Sequence, residues 1–263
     1  MTTLLLIELR RLAARRFLHL IVLAALVGGA IGGLVVYLRS SPTQYYTIDH
    51  LKNTLQGTTV PFVLASWLLG SSFVGAEWRA GTMTTLLTWE PRRFRVLLAK
   101  VLAVASTSAM MLFVLQVAIG AMLLPGAYRR PSGVQSQVGG FHGSARIDAA
   151  WLHSVGGFLG RGAALAAIAA VIGFAIGAIG RNTAFGLGVG FVYLAILEGG
   201  LIGHLFPSTR RWLLVGNSIV FVSGRSDPEV AGRSTIGAGL VLGAYAIGAF
   251  LVAVAIFRAR DVT

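Results

Sequence analysis

The chain has no cysteine among its 263 residues, which excludes disulfides and thiolate metal sites and leaves the compartment undecided. Charge is scarce too. Only 12% of residues are charged, half of the roughly 25% that a water-facing surface carries. Acids are the rarest, with nine Asp and Glu against 22 Lys and Arg for a net charge of +13. Lys52 and Lys100 are the only lysines and neither follows a glycine, so the phosphate-cradling G-x-x-x-x-G-K-[ST] loop is missing. Histidines 19, 50, 142, 153 and 204 make no H-E-x-x-H, and no G-x-S-x-G occurs. The signatures of a zinc protease and of a serine hydrolase are therefore absent.

What is there is apolar: 56% of the residues are hydrophobic and the mean hydropathy is +0.78. Runs without interior charge, or with charge only towards an end, fall at about 17–38, 58–76, 94–124, 161–180, 183–203 and 235–257. Each matches the ~20 residues that cross a hydrocarbon core of ~30 Å. The reading is an all-α integral membrane protein with six transmembrane helices in one domain over 1–263. Six spans use roughly 120 positions, which leaves loops and surface helices but no nucleotide-binding domain. The basic residues lie between the apolar runs and form no continuous stripe, so membrane lipid is the expected partner and nucleic acid is not.

Six spans put both termini on one side. With these cytoplasmic, that side holds twelve basic residues, concentrated at Arg10, Arg11, Arg15, Arg16 and again between Arg79 and Lys100. The segments 39–57, 125–150 and 204–234 then face outward and carry nine over longer loops. Orientation follows the short segments.

Before the first span, Leu6, Leu9, Ala13 and Phe17 recur at helical spacing while Glu8, Arg11 and Arg15 share another face. This predicts an amphipathic helix in the interface; a basic flank that only fixes topology is the other reading. Between the second and third spans, Glu77 and Trp78 meet the headgroups. Gly81 then breaks the helix, and Thr82 can cap a short transverse helix with Met83, Leu86 and Leu87 along one side. Glu90 and Pro91 suit the start of the next helix. Residues alone leave two readings of this element, a docking surface and an interfacial linker.

Taken in order, Gly75 to Lys100 with Glu77, Gly81-Thr82, Pro91-Arg92-Arg93 and Lys100 resembles the stretch after the second span in ATP-binding-cassette (ABC) exporter permeases of the second type. The resemblance continues through Arg181-Asn182-Thr183-Ala184, Glu198, Pro207, Arg211-Trp212-Leu213-Leu214 and Asn217. It implies that the transverse helix is a cytoplasmic coupling helix, docking Glu77, Gly81, Thr82, Met83, Leu86 and Leu87 on a motor subunit. It implies outer re-entrant helices within 204–234, before the last span. It also implies two nucleotide-binding ATPase subunits and a second permease copy or homologue as partners, with ATP and magnesium on the ATPase subunit and no cofactor on this chain. The location expected is a bacterial plasma (inner) membrane, and the chain itself is a transport subunit rather than an enzyme.

Polar side chains within spans are the remaining candidates. Thr59, Ser66, Ser71 and Ser72 on the second span, Gln116 on the third, and Thr183 and Tyr193 on the fifth could line a pathway, or bond neighbouring helices. Arg161 and Glu198 stand near the outer ends of the fourth and fifth spans. They either snorkel separately or form an outer ion pair. The otherwise apolar interior favours a lipid-like or amphiphilic cargo for efflux. A membrane scaffold or sensor holding a cytoplasmic partner is the alternative, and an ion-coupled carrier is disfavoured because no acid lies at mid-membrane.

Overall fold

The computed structural model describes residues 2–39, 48–89, 92–128, 149–194, 198, 205–225 and 233–259. Among these residues all regular structure is helical: α1 (Thr2–Ala13), α2 (Arg16–Arg39), α3 (Ile48–Arg79), α4 (Thr82–Trp89), α5 (Arg93–Tyr128), α6 (Ala149–Gly180) and α7 (Thr183–Val192). A 3-10 helix Pro207–Trp212, a short helix Leu214–Ser223 and a last helix Thr235–Ala259 follow. Five helices are long and apolar enough to cross a membrane: α2, α3, α5, α6 and the last helix. That is the composition of a multi-pass membrane protein, in which helices satisfy their own backbone polar groups away from water.

The expected fifth span, 183–203, is helical over Thr183–Val192, and residues 195–197 and 199–204 lie outside the described residues. The second and fourth spans are longer than hydropathy suggests. α3 begins at Ile48 instead of 58, because Leu51, Leu55, Thr59 and Phe62 recur at helical spacing and are all buried. α6 begins at Ala149 instead of 161, since Val155, Phe158 and Leu159 continue its buried face through Gly156, Gly157 and Gly160. An amphipathic turn carries too little mean hydropathy to register as a span, yet one apolar stripe suffices to continue a packed helix.

α1 also turns differently from expectation. Glu8 and Leu12 face inward while Leu6 is 58% exposed. A reading by apolar residues alone misses a carboxylate that finds a buried cation.

α3 and α6 form the centre, and glycine sets how closely they approach. A Cβ on Gly173 would meet the Trp67 carbonyl and stand 3.1 Å from Ser71 Oγ, and one on Gly177 would lie 2.9 Å from the Ser71 carbonyl oxygen. Close approach lets Ser71 Oγ donate across the interface to the Gly173 carbonyl at 3.0 Å. Gly186 and Gly190 of α7 pack on Ser71 and Trp67 in the same way, and Gly29 and Gly33 of α2 on Ile119 and Met122. Gly28 and Gly32 meet nothing within 4 Å, nor does Gly243. The four-residue glycine spacing thus marks a contact at Gly29/Gly33, Gly173/Gly177 and Gly186/Gly190 but none at Gly28/Gly32, and does not mark which face is used.

Two apolar clusters fill the bundle. One, around Leu69, Phe73, Val104 and Phe174, lies at the end occupied by α1 and α4. The other, around Leu55, Leu112, Phe158 and Leu242, lies towards the opposite end. At the α4 end the Arg93 guanidinium donates to the Phe257 carbonyl at 3.1 Å, joining the start of α5 to the end of the last helix. At the other end Lys52 Nζ donates to Ser154 Oγ at 2.7 Å, joining α3 to α6.

Candidate functional site

The α4 end is built around one lysine. Lys100, in the second turn of α5, is fully buried, and its ammonium lies 2.8 Å from Glu8 Oε1 and 2.7 Å from Glu77 Oε2. Glu8 comes from α1 and is 1% exposed; Glu77 comes from the last turn of α3 and is 8% exposed. Arg11 adds a second cation from the rim, 3.6 Å from Glu8 and 3.9 Å from Glu77. Two carboxylates and two cations make the cluster neutral, and neutrality is what allows charges to be buried at all.

Arg15, in the bend between α1 and α2, points into the same region. It donates to the Ser72 and Phe73 carbonyls at 3.1 and 3.2 Å and lies over the Phe73 ring at 4.7 Å. Burial lowers its pKa from the ordinary arginine value, against the Coulombic pull of Glu77 and then Glu8, which raises it. The cluster therefore locks α1, the end of α3 and the start of α5 into one body.

α4 hangs between α3 and α5, two of the three helices of that body. Gly81 supplies the turn with φ +67°, a left-handed conformation that glycine adopts without a side-chain clash. Thr82 opens α4, and its hydroxyl donates back to the Glu77 carbonyl at 3.3 Å, so it closes the end of α3 rather than acting as the acceptor expected of a cap. Met83 is fully buried in the chain's own core. Leu86 is partly buried, Thr85 is exposed and Trp89 is 85% exposed. The side chain of Leu87 lies outside the described residues, as do Glu90 and Pro91. The six residues expected on one docking surface are therefore divided: Glu77 and Met83 hold the element from within, and the face around Leu86 is left for contact. The turn from α6 to α7 is fixed locally by the Asn182 side chain accepting from Ala184 N at 2.9 Å, and Arg181 ties it to α3 by stacking 4.5 Å over the Trp78 ring.

The opposite end holds the other candidates. Glu198 and Arg161 do not meet as an ion pair. Glu198 instead accepts from the backbone N–H groups of Leu214 and Val215, the latter at 2.6 Å, and from the Tyr193 hydroxyl at 2.9 Å. Carboxylates are favoured at a helix N-terminus, where amide hydrogens lack partners, and that is a stronger claim on Glu198 than a distant guanidinium. Arg161 donates to the Val222 carbonyl at 3.4 Å, near the other end of the same short helix. The buried Asn217 donates to the Arg211 and Leu213 carbonyls, and Tyr245 to the Trp212 carbonyl at 3.1 Å. The 207–223 segment is thus pinned at both ends.

Between this short helix, α3 and α6 lies a cavity of about 390 Å³ with an almost wholly apolar lining that includes Val63, Trp67, Ile168 and Ile219. Of the expected pathway residues, Thr59 and Tyr193 line it. The others are engaged between or within helices. Gln116 donates to Thr59 Oγ1 at 2.8 Å, Ser66 to the Phe62 carbonyl, Ser71 to Gly173, and Ser72 to the Leu69 carbonyl. Thr183 packs against Gly75. Among the described residues no group of His, Asp and Glu is placed to hold a metal ion.

Neither a family model nor a curated protein matches the sequence. The Lys100 cluster was not found by sequence reasoning. A signal for it existed: Lys100 is the last charge of α5, seven residues in from Arg93 and the one that reaches furthest into its apolar stretch, a position that calls for a partner.

Proposed function

We propose that this chain is the permease subunit of an ABC exporter of the second type, spanning the membrane six times with its fifth span over 183–203. It works with two nucleotide-binding ATPase subunits, which carry ATP and magnesium, and with a second permease copy or homologue. The observation that carries this reading is α4: a short helix between two long spans, anchored inward by Met83 and exposed at Thr85 and Trp89. Nucleotide-driven closure of the motor subunits displaces α4. Because Lys100 ties the ends of α3, α5 and α1 together, the displacement reaches the bundle as a shift between two packed arrangements. The apolar cavity beneath the 214–223 helix supports a lipid-like or amphiphilic cargo.

The test uses the purified chain and a candidate soluble ATPase subunit that carries a P-loop. Alone, the chain is expected to hydrolyse no ATP above background. Replacing Leu86 and Leu87 with Asp puts uncompensated charge into the contact, at several kcal/mol of association. The variant should insert normally and lose the ATPase subunit on pull-down, together with transport. Unchanged association and transport would reduce α4 to an interfacial linker and return the reading to a scaffold.

The orientation is tested separately. With cysteines introduced singly at the exposed positions Thr85 and Ala150, an impermeant thiol reagent added to intact cells should label the second and miss the first. The reverse pattern would invert the topology.

A further inference from the structure

A groove of about 570 Å³ runs along the membrane-facing side of the bundle where α1 bends into α2 and both lie against α5. Leu9 and Ala13 of α1 wall it at the α4 end, Leu18 and Val22 of α2 along one side. Met111 and Leu115 of α5 form its floor, 7% and 3% exposed, and Met110 and Val114 its rim, 64% and 51% exposed. From Ser106 to Leu115 the α5 wall extends about 13 Å, and it is apolar from Met110 onward. The shape is a trough for one extended hydrocarbon chain, closed at the level of α1 and open sideways to the bilayer.

The charge around its closed end has one sign. Both acids that pack here, Glu8 and Glu77, are turned inward onto Lys100. What remains at the surface of the bend is Arg10, Arg11 and Arg16, all exposed. Arg11 is engaged by the two carboxylates, while Arg10 and Arg16 have no salt bridge among the described residues. The same burial that builds the cluster therefore strips the surface of negative charge.

We propose that this groove binds one anionic phospholipid from the leaflet on the α1 side, with an acyl chain on Met111 and Leu115 and its headgroup at Arg10 and Arg16. An open helix face meets passing lipid without preference. Walls from three helices hold one chain in place, and two arginines at headgroup depth select for negative charge, each contributing to the attraction of anionic lipid. The proposal concerns the bend and α5 alone and does not rest on the exporter reading.

The experiment is native mass spectrometry of the full chain released from nanodiscs of phosphatidylcholine mixed with phosphatidylglycerol. The wild-type protein should retain one phosphatidylglycerol in preference to phosphatidylcholine. Replacing Arg10 and Arg16 with Gln should lower that preference about fivefold per arginine removed, and Lys at both positions should restore it. Met110→Trp, which fills the rim and leaves every charge in place, should lower retention of both lipids. Equal retention of the two lipids by the wild-type chain would overturn the proposal. So would undiminished retention by Met110→Trp, or displacement of the lipid by inorganic phosphate alone. Because no ATPase subunit is present, the outcome is independent of whether the chain docks one.

Discussion

Replacing Lys100 with Met is expected to destabilise the protein by about 3–5 kcal/mol, the usual cost of removing one partner from a buried ion pair. Methionine keeps most of the lysine stem and its packing, so the loss isolates the charge. Glu8 and Glu77, which approach the same ammonium at 2.8 and 2.7 Å, would be left facing each other in an apolar surround. Their mutual repulsion is then uncompensated from within the bundle. Arg11, half-exposed and 3.6 Å from Glu8, offsets only part of this from the rim. The measurement is thermal unfolding of the detergent-solubilised protein followed by size-exclusion fluorescence. The decisive comparison is the triple variant Glu8→Gln, Glu77→Gln, Lys100→Met, which removes the stranded charges along with the lysine and should recover much of the loss. If it is no more stable than Lys100→Met alone, packing rather than charge pairing holds this end together. In the exporter reading the same single variant should also hydrolyse ATP without transporting, because α4 would move without carrying α1.

Replacing Gly173 with Val should be the most damaging change in the middle of the bundle. Its side chain would run into the Trp67 backbone and Ser71, and backbone cannot rotate away. The loss should exceed the about 1–3 kcal/mol of ordinary overpacking, and the Ser71-to-Gly173 bond would go with it. Gly32→Val is the matched control in α2, where a Cβ meets nothing within 4 Å. Expression level and melting temperature should separate the two variants clearly. Similar tolerance at both sites would show that α3 and α6 do not approach as closely as described.

Local and collinear properties are what the sequence determines by itself. Long apolar runs with almost no interior charge yield helices that can span a membrane, because an unsatisfied peptide group costs several kcal/mol away from water. Gly81 ends α3 through its own conformational freedom, and Asn182 starts α7 through its own side chain. Each needs only its immediate neighbours. The short elements before the last helix, by contrast, were expected from the resemblance to exporter permeases, and short helices at Pro207–Trp212 and Leu214–Ser223 stand there.

Tertiary structure alone decides which of two similar surfaces is used. Glycine pairs four apart occur in α2, α6, α7 and the last helix, yet Gly173 and Gly177 are packed against backbone while Gly28 and Gly32 are open. Glu198 and Arg161 were both expected near the outer ends of their spans, yet the carboxylate goes to the amides of Leu214 and Val215 because those donors have no partner within their own helix. Glu8 and Lys100 are 92 residues apart. Read separately, one belongs to a polar face and the other interrupts an apolar helix. A charge in a bundle becomes affordable only when its counter-charge arrives from another helix, and which helix arrives is settled by the packing of the whole.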